Sequence, residues 1–90
     1  MRVKPIAVRA LEPYKIWVKF DDGVEGILDY SDIAGQGVFK VWEDPDFFKK
    51  VFIDNDLHVV SWPGELEFDR ENMYMTITGL TWDQFKVMAN

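Results

Sequence analysis

The stretch Tyr14-Lys15-Ile16-Trp17-Val18-Lys19-Phe20-Asp21-Asp22-Gly23-Val24-Glu25-Gly26-Ile27-Leu28-Asp29-Tyr30 carries the strongest local signal in the chain. From Tyr14 to Phe20 the side chains alternate with a period of two. Tyr14, Ile16, Val18 and Phe20 fall on one face, Lys15, Trp17 and Lys19 on the other, as in a half-buried strand. Asp22-Gly23 then supplies the positive φ that a tight hairpin turn demands. Val24 to Tyr30 returns as a second strand, with Val24, Gly26, Leu28 and Tyr30 opposite in face to Glu25, Ile27 and Asp29. Upstream, Val3 to Leu11 is rich in β-branched and apolar residues. Its Pro5 cannot donate to a ladder, so this strand is expected at an edge or to pair only after Pro5. The N-terminal third is therefore read as a three-stranded meander.

Downstream the punctuation changes to helix caps and turns. Ser31 and Asp32 suit one short turn before Gly35-Gln36-Gly37. That pair of glycines lacks the third glycine of a dinucleotide loop and the Gly-Lys-Ser/Thr ending of a P-loop, so it is read as a loop. Asp44-Pro45 combines an acidic N-cap with proline at the first helical position. Phe47, Phe48, Val51 and Phe52 follow at helical spacing, which predicts a helix over Pro45 to Val51. A turn within Ile53 to Leu57, a strand from Leu57 to Trp62, a break at Trp62-Pro63-Gly64 and an extended piece from Glu65 to Phe68 complete this part. Asp69-Arg70-Glu71-Asn72 opens a further helix, with Met73, Tyr74 and Ile77 spaced for burial and Gly79 as C-cap, against the β-branching of Met75 to Thr78. Thr81 and Gln84 form a capping box for a final helix from Trp82 to Met88, with Phe85 and Met88 on one side and Lys86 outside. The expected class is α+β: a small antiparallel sheet, meander plus a later strand, with two or three short helices.

The 90 residues suit one domain over 1–90, in which 80–90 form a helical extension placed at a dimer or partner interface. Hydrophobic residues make up 48%, too many for a disordered chain. Sixteen acids against ten bases leave a charge of −6, which argues against broad binding to a phosphate backbone. Without cysteine there is no disulfide framework, thiolate zinc site or thiol nucleophile. No apolar run approaches the roughly 20 residues that span a bilayer, and Met1-Arg2-Val3-Lys4-Pro5 lacks the apolar core of a secretory signal. A cytoplasmic domain is expected. The aromatic content, 16%, is high. Large rings bury much area per residue, so most are expected to fill a small core, while a few are candidates for partner anchors.

Reactive chemistry finds little support. Asp54-x-Asp56 faintly matches the opening of a calcium loop, yet Val59 occupies its sixth position, where glycine makes the turn, and only Glu65 at the twelfth fits. The lone histidine, His58, lies between Leu57 and Val59 and is read as a half-buried strand residue. Ser31 reads as a cap, and Ser61 is one position off the His58 face; neither sits in a nucleophile elbow. Asp21/Asp22 and Asp44/Asp46 are explained by a turn and a helix start. Lys15, Trp17 and Lys19 resemble the stacking platforms of single-strand binders, but three residues are few and the net charge opposes it. Nor do the last helices supply a DNA reader, since Lys86 is the only cation on the second. No enzyme, no cofactor, no metal, no direct nucleic-acid contact and no membrane contact are expected.

The pattern Val18-x-Phe20-Asp21-Asp22-Gly23-Val24, Asp29, Gly35-x-Gly37-Val38-Phe39, then Phe47, Val51 and Ile53-Asp54, resembles a small bacterial family known as a domain of unknown function, family 2442. The likeness is clearest at Val60-Ser61-Trp62-Pro63-Gly64-Glu65-Leu66-Glu67-Phe68 and at Met73-Tyr74, and covers about residues 3 to 75. Glu67 stands where the family usually has aspartate, and Thr76 to Asn90 extend past its typical end. The resemblance implies a compact α+β unit, often encoded beside a small partner in arrangements similar to toxin–antitoxin pairs. Some relatives are attached to helix-turn-helix segments. No catalytic residues follow from it.

Two readings of function result. The first is a non-catalytic protein-interaction module, antitoxin-like toward a small basic partner encoded by an adjacent gene, with Trp17, Trp62, Pro63, Trp82 and Phe85 as candidate contacts. Trp62 has a rival reading as a core plug, and the terminal helix could instead close a homodimer. The second is a regulatory or small-ligand domain with an aromatic-lined pocket between the sheet and the Pro45 helix.

Overall fold

The computed structural model describes residues 3–64 and 66–89, the last four of these in backbone only. The fold is α+β. Strands β1 (Pro5–Leu11), β2 (Lys15–Phe20) and β3 (Glu25–Asp29) form an antiparallel sheet in the order β1-β2-β3. Alternation works as read: Ile16, Val18, Phe20 and Leu28 are buried beneath this sheet. β1 is an edge, and its register against β2 shifts between Pro5 and Ala7. The β2–β3 turn is closed by Asp22, whose Oδ1 accepts from the Val24 amide at 3.0 Å.

A 3-10 turn at Gly37–Glu43 comes next. With three residues per turn, i and i+3 eclipse. Phe39 and Trp42 therefore point inward, and Val38 and Val41 lie exposed on the outside. Helix α1 (Pro45–Phe48) is capped by the Asp44 carboxylate on the Asp46 amide, as its sequence requires, but stops short of Val51. Phe52–Asp54 is instead strand β4, antiparallel to β5 (Val59–Trp62), which also pairs with β6 (Leu66–Glu67). The later strand thus does not join the meander but centres a second three-stranded sheet, in the order β4-β5-β6.

Leu57 and His58 belong to the β4–β5 turn, not to the strand. Asp54 Oδ1 accepts from the amides of Asp56 (2.9 Å) and Leu57 (3.1 Å), and its carbonyl accepts from His58 at 2.7 Å. Capture of these amides curls the chain, leaving Leu57 exposed and His58 left-handed at φ 56°.

Helix α2 (Arg70–Thr78) runs from its Asp69 cap to left-handed Gly79 at φ 76°. The β-branched residues do not break it, and the hydroxyls of Thr76 and Thr78 donate back to the carbonyls of Asn72 and Tyr74. Helix α3 (Trp82–Ala89) opens on the reciprocal box: Gln84 Oε1 accepts from the Thr81 amide at 2.8 Å, Thr81 Oγ1 from the Gln84 amide at 3.2 Å. The expected orientations of Lys86 and Met88, and the place of Glu65, lie outside the described residues.

The rings do fill the core. Trp42 is fully buried, with the rings of Trp62, Phe39, Phe48, Tyr30 and Phe68 at centroid distances of 4.7 to 5.8 Å. Such contacts add about 0.5–1.5 kcal/mol each beyond burial.

Candidate functional site on the outer face of the meander

The outer face of the β1-β2-β3 sheet is built by the same alternation that buries Ile16, Val18 and Phe20. Register places Arg9, Trp17 and Ile27 side by side across the three strands. Ala7, Lys19 and Glu25 form the row on one flank, and Leu11, Lys15 and Asp29 the row on the other. Trp17 is half-buried and held on two sides. The Arg9 guanidinium carbon lies 5.3 Å from its ring centroid, and its Nε1 donates to Glu25 Oε1 at 3.0 Å. Contacts of the first kind stabilise by about 0.5–1 kcal/mol at exposed sites. The indole is thereby fixed, and Ile27 beside it is 59% exposed.

Three cations and two carboxylates share this face, with both acids on β3. Asp29 accepts from the hydroxyl and the amide of Ser31, and these bonds hold its carboxyl below the usual carboxylate range. It is ionised at neutral pH. Among the described residues, Asp29 is one of five aspartates that accept a backbone amide two residues on, with Asp22, Asp44, Asp54 and Asp69. Five of the sixteen acidic residues thus serve turns and helix starts.

The five predicted contact residues are dispersed. Trp62 is a core residue, 1% exposed, and its Nε1 donates to the Phe48 carbonyl at 2.8 Å. Pro63 is exposed in the β5–β6 turn. Phe85 is buried against Tyr74 at 5.7 Å, and Trp82 stacks on Phe85 at 6.0 Å with half its surface open. Trp62 and Phe85 therefore present no ring to a partner, leaving Trp17, Pro63 and Trp82 accessible. Arg9, Glu25 and Ile27 were missed by the sequence reading. The turn at Asp22-Gly23 would have placed Ile27 opposite Trp17 by counting outward, but Arg9 depends on the β1 register, which no local signal sets.

The other candidate groups do not assemble a reactive centre among the described residues. The Asp54 carboxylate is engaged by two amides, and no cluster of three metal-binding side chains exists among the described residues. His58 sits in a turn, while Ser61 is buried in β5. A half-open cleft of about 290 Å³ separates the β1–β2 turn from α1, lined by Ala10, Leu11, Pro13, Tyr14, Pro45 and Phe48, with the exposed Lys49–Glu12 pair (3.6 Å) at its rim. None of the described helices is long and apolar enough to cross a membrane.

Comparison with curated proteins and with solved structures returned no match. The family model described as protein of unknown function (DUF2442) matches residues 5–79, from the first residue of β1 to the glycine that ends α2. By that match, over most of its length, the chain belongs to the DUF2442 family.

Proposed function

We propose that this domain is a non-catalytic protein-interaction module of the cytoplasm, antitoxin-like toward a small basic partner that docks on the outer face of the meander. The observation that carries this reading is the indole of Trp17, fixed between Arg9 and Glu25 on an otherwise solvated sheet face. A tryptophan ordered in advance loses little freedom on binding, which is the property of an interface anchor. The charge of −6 over the whole chain accelerates encounter with a cationic partner, which on this face would meet the two carboxylates at its β3 edge, Glu25 and Asp29, rather than Arg9, Lys15 and Lys19. The test is co-expression with the product of the adjacent gene and mass measurement of the complex. Trp17→Ala is expected to weaken it at least about tenfold, and added salt to slow its formation. A complex indifferent to Trp17→Ala overturns the reading.

The cleft beside α1 favours a second reading, a regulatory small-ligand domain of the kind attached to DNA-binding segments. Its size falls at the low end for ligand sites, and its lining is apolar apart from Glu12 and Lys49. Thermal stabilisation by small apolar acids that is lost in Lys49→Glu would support this second reading.

A further inference from the structure

β3 ends the sheet in the order β1-β2-β3, and its free edge has a defined chemistry. The Phe20 amide bonds to the Val24 carbonyl and the Tyr30 amide to the Tyr14 carbonyl. Both bonds join residues directly opposite in the β2–β3 register, so the hydrogen-bonded pairs are 20/24, 18/26, 16/28 and 14/30. The amides and carbonyls of Glu25, Ile27 and Asp29 consequently point away from β2. No strand covers them among the described residues. The side chains of the same three residues lie on the outer face and are exposed. An acid, an apolar residue and an acid thus alternate along an unpaired edge.

We propose that the partner adds an extended segment antiparallel to β3, with the pattern basic–x–apolar–x–basic set against Glu25, Ile27 and Asp29. Opposite charges directly across a strand pair stabilise it, and like charges destabilise it. The central apolar residue continues the row Arg9–Trp17–Ile27 by one member. The same rule disfavours a second copy of this chain as the occupant: centring the two-fold on Ile27 sets Glu25 against Asp29 of the other copy, twice. Main-chain bonds provide affinity in such strand addition, and alternate side chains provide selectivity. This inference rests on the interaction-module reading and specifies its binding mode.

The test uses the full chain with two capped peptides, Thr-Lys-Thr-Val-Thr-Lys-Thr and its counterpart with glutamate for lysine, followed by titration calorimetry and amide shifts. The lysine peptide is expected to bind about tenfold more tightly than the glutamate peptide. Ile27→Pro removes an amide that faces away from β2, so the meander survives while lysine-peptide binding is lost. The pair Glu25→Lys with Asp29→Lys reverses the preference, and it serves even where Ile27→Pro fails to fold. Equal binding of both peptides, no binding of either, or an unreversed preference in the charge-swapped protein overturns strand addition. Lysine-peptide binding kept in a folded Ile27→Pro but lost in Trp17→Ala overturns it while leaving the outer-face reading intact. Sedimentation that finds a dimer dissolved by Ile27→Pro assigns the edge to a second copy and overturns it as well.

Discussion

The phenol of Tyr74, on helix α2, donates a 2.6 Å hydrogen bond to Oδ2 of Asp22, fifty-two residues away in the β2–β3 turn. The other oxygen of that carboxylate accepts from the Val24 amide. One side chain therefore both closes the hairpin and ties it to the helix beneath, while the Tyr74 ring packs edge-on to Phe20 at 5.1 Å. Tyr74→Phe keeps the ring and removes the hydroxyl that donates this bond. It is expected to cost about 1–2 kcal/mol in urea unfolding, the range for bonds to charged acceptors reduced by partial exposure. Asp22→Ala should cost more, because the turn bond goes with it. A double-mutant cycle should return a coupling near the Tyr74→Phe value.

The same pair predicts an alkaline limit. Burial, followed by the hydrogen bond and charge of Asp22, pushes the Tyr74 phenol up to about 12 from an ordinary 10.0. The folded state holds the proton more tightly than the unfolded one. Its stabilising contribution is therefore complete below pH 10 and disappears as pH climbs toward 12. Melting temperature measured from pH 8 to pH 12 should fall across that window, and less steeply in Tyr74→Phe. Burial raises Tyr30 as well, so part of the fall should persist in the variant.

Helix α2 rests on β3 at Gly26, where an added Cβ would lie 2.6 Å from Cγ2 and 3.2 Å from Cγ1 of Ile77. A β-branched side chain in a helix has little rotamer freedom with which to retreat. Gly26→Ala is expected to destabilise by about 1–3 kcal/mol. Ile77→Ala removes both clashing atoms, so the double variant should be distinctly more stable than additivity allows. Strict additivity in chemical denaturation would refute the contact.

Helix α3 carries one buried anchoring ring and one half-exposed ring. Phe85 is 2% exposed against Tyr74, whereas Trp82 is 51% exposed. Phe85→Ala is expected to cost about 3 kcal/mol or more and Trp82→Ala less than about 1. Comparable losses in the two variants would contradict this packing.

Fluorescence offers a check on all four tryptophans. Trp42 and Trp62 are at most 1% exposed, so they should emit in the blue and resist iodide. Trp17 and Trp82 are the quenchable pair. Trp17→Phe with Trp82→Phe should leave an emission that iodide barely touches.

What the amino-acid order determined alone was local. The alternation around Asp22-Gly23 made the meander, Asp44-Pro45 and Asp69 started helices, Gly79 ended one, and Thr81 with Gln84 opened the last. Each of these signals acts through residues within a few positions of one another, so neighbours in the chain suffice to read them. The α1 boundary misled because Phe47, Phe48, Val51 and Phe52 suit a helix as well as the actual break, and strand β4 exists only through its pairing with β5. Which tryptophan is core and which is surface, the placing of Arg9 over Trp17, the Tyr74–Asp22 bond and the seat of Ile77 on Gly26 were decided by tertiary structure. They join segments separated in sequence, and the energy that selects them comes from register and close packing, which no single segment contains.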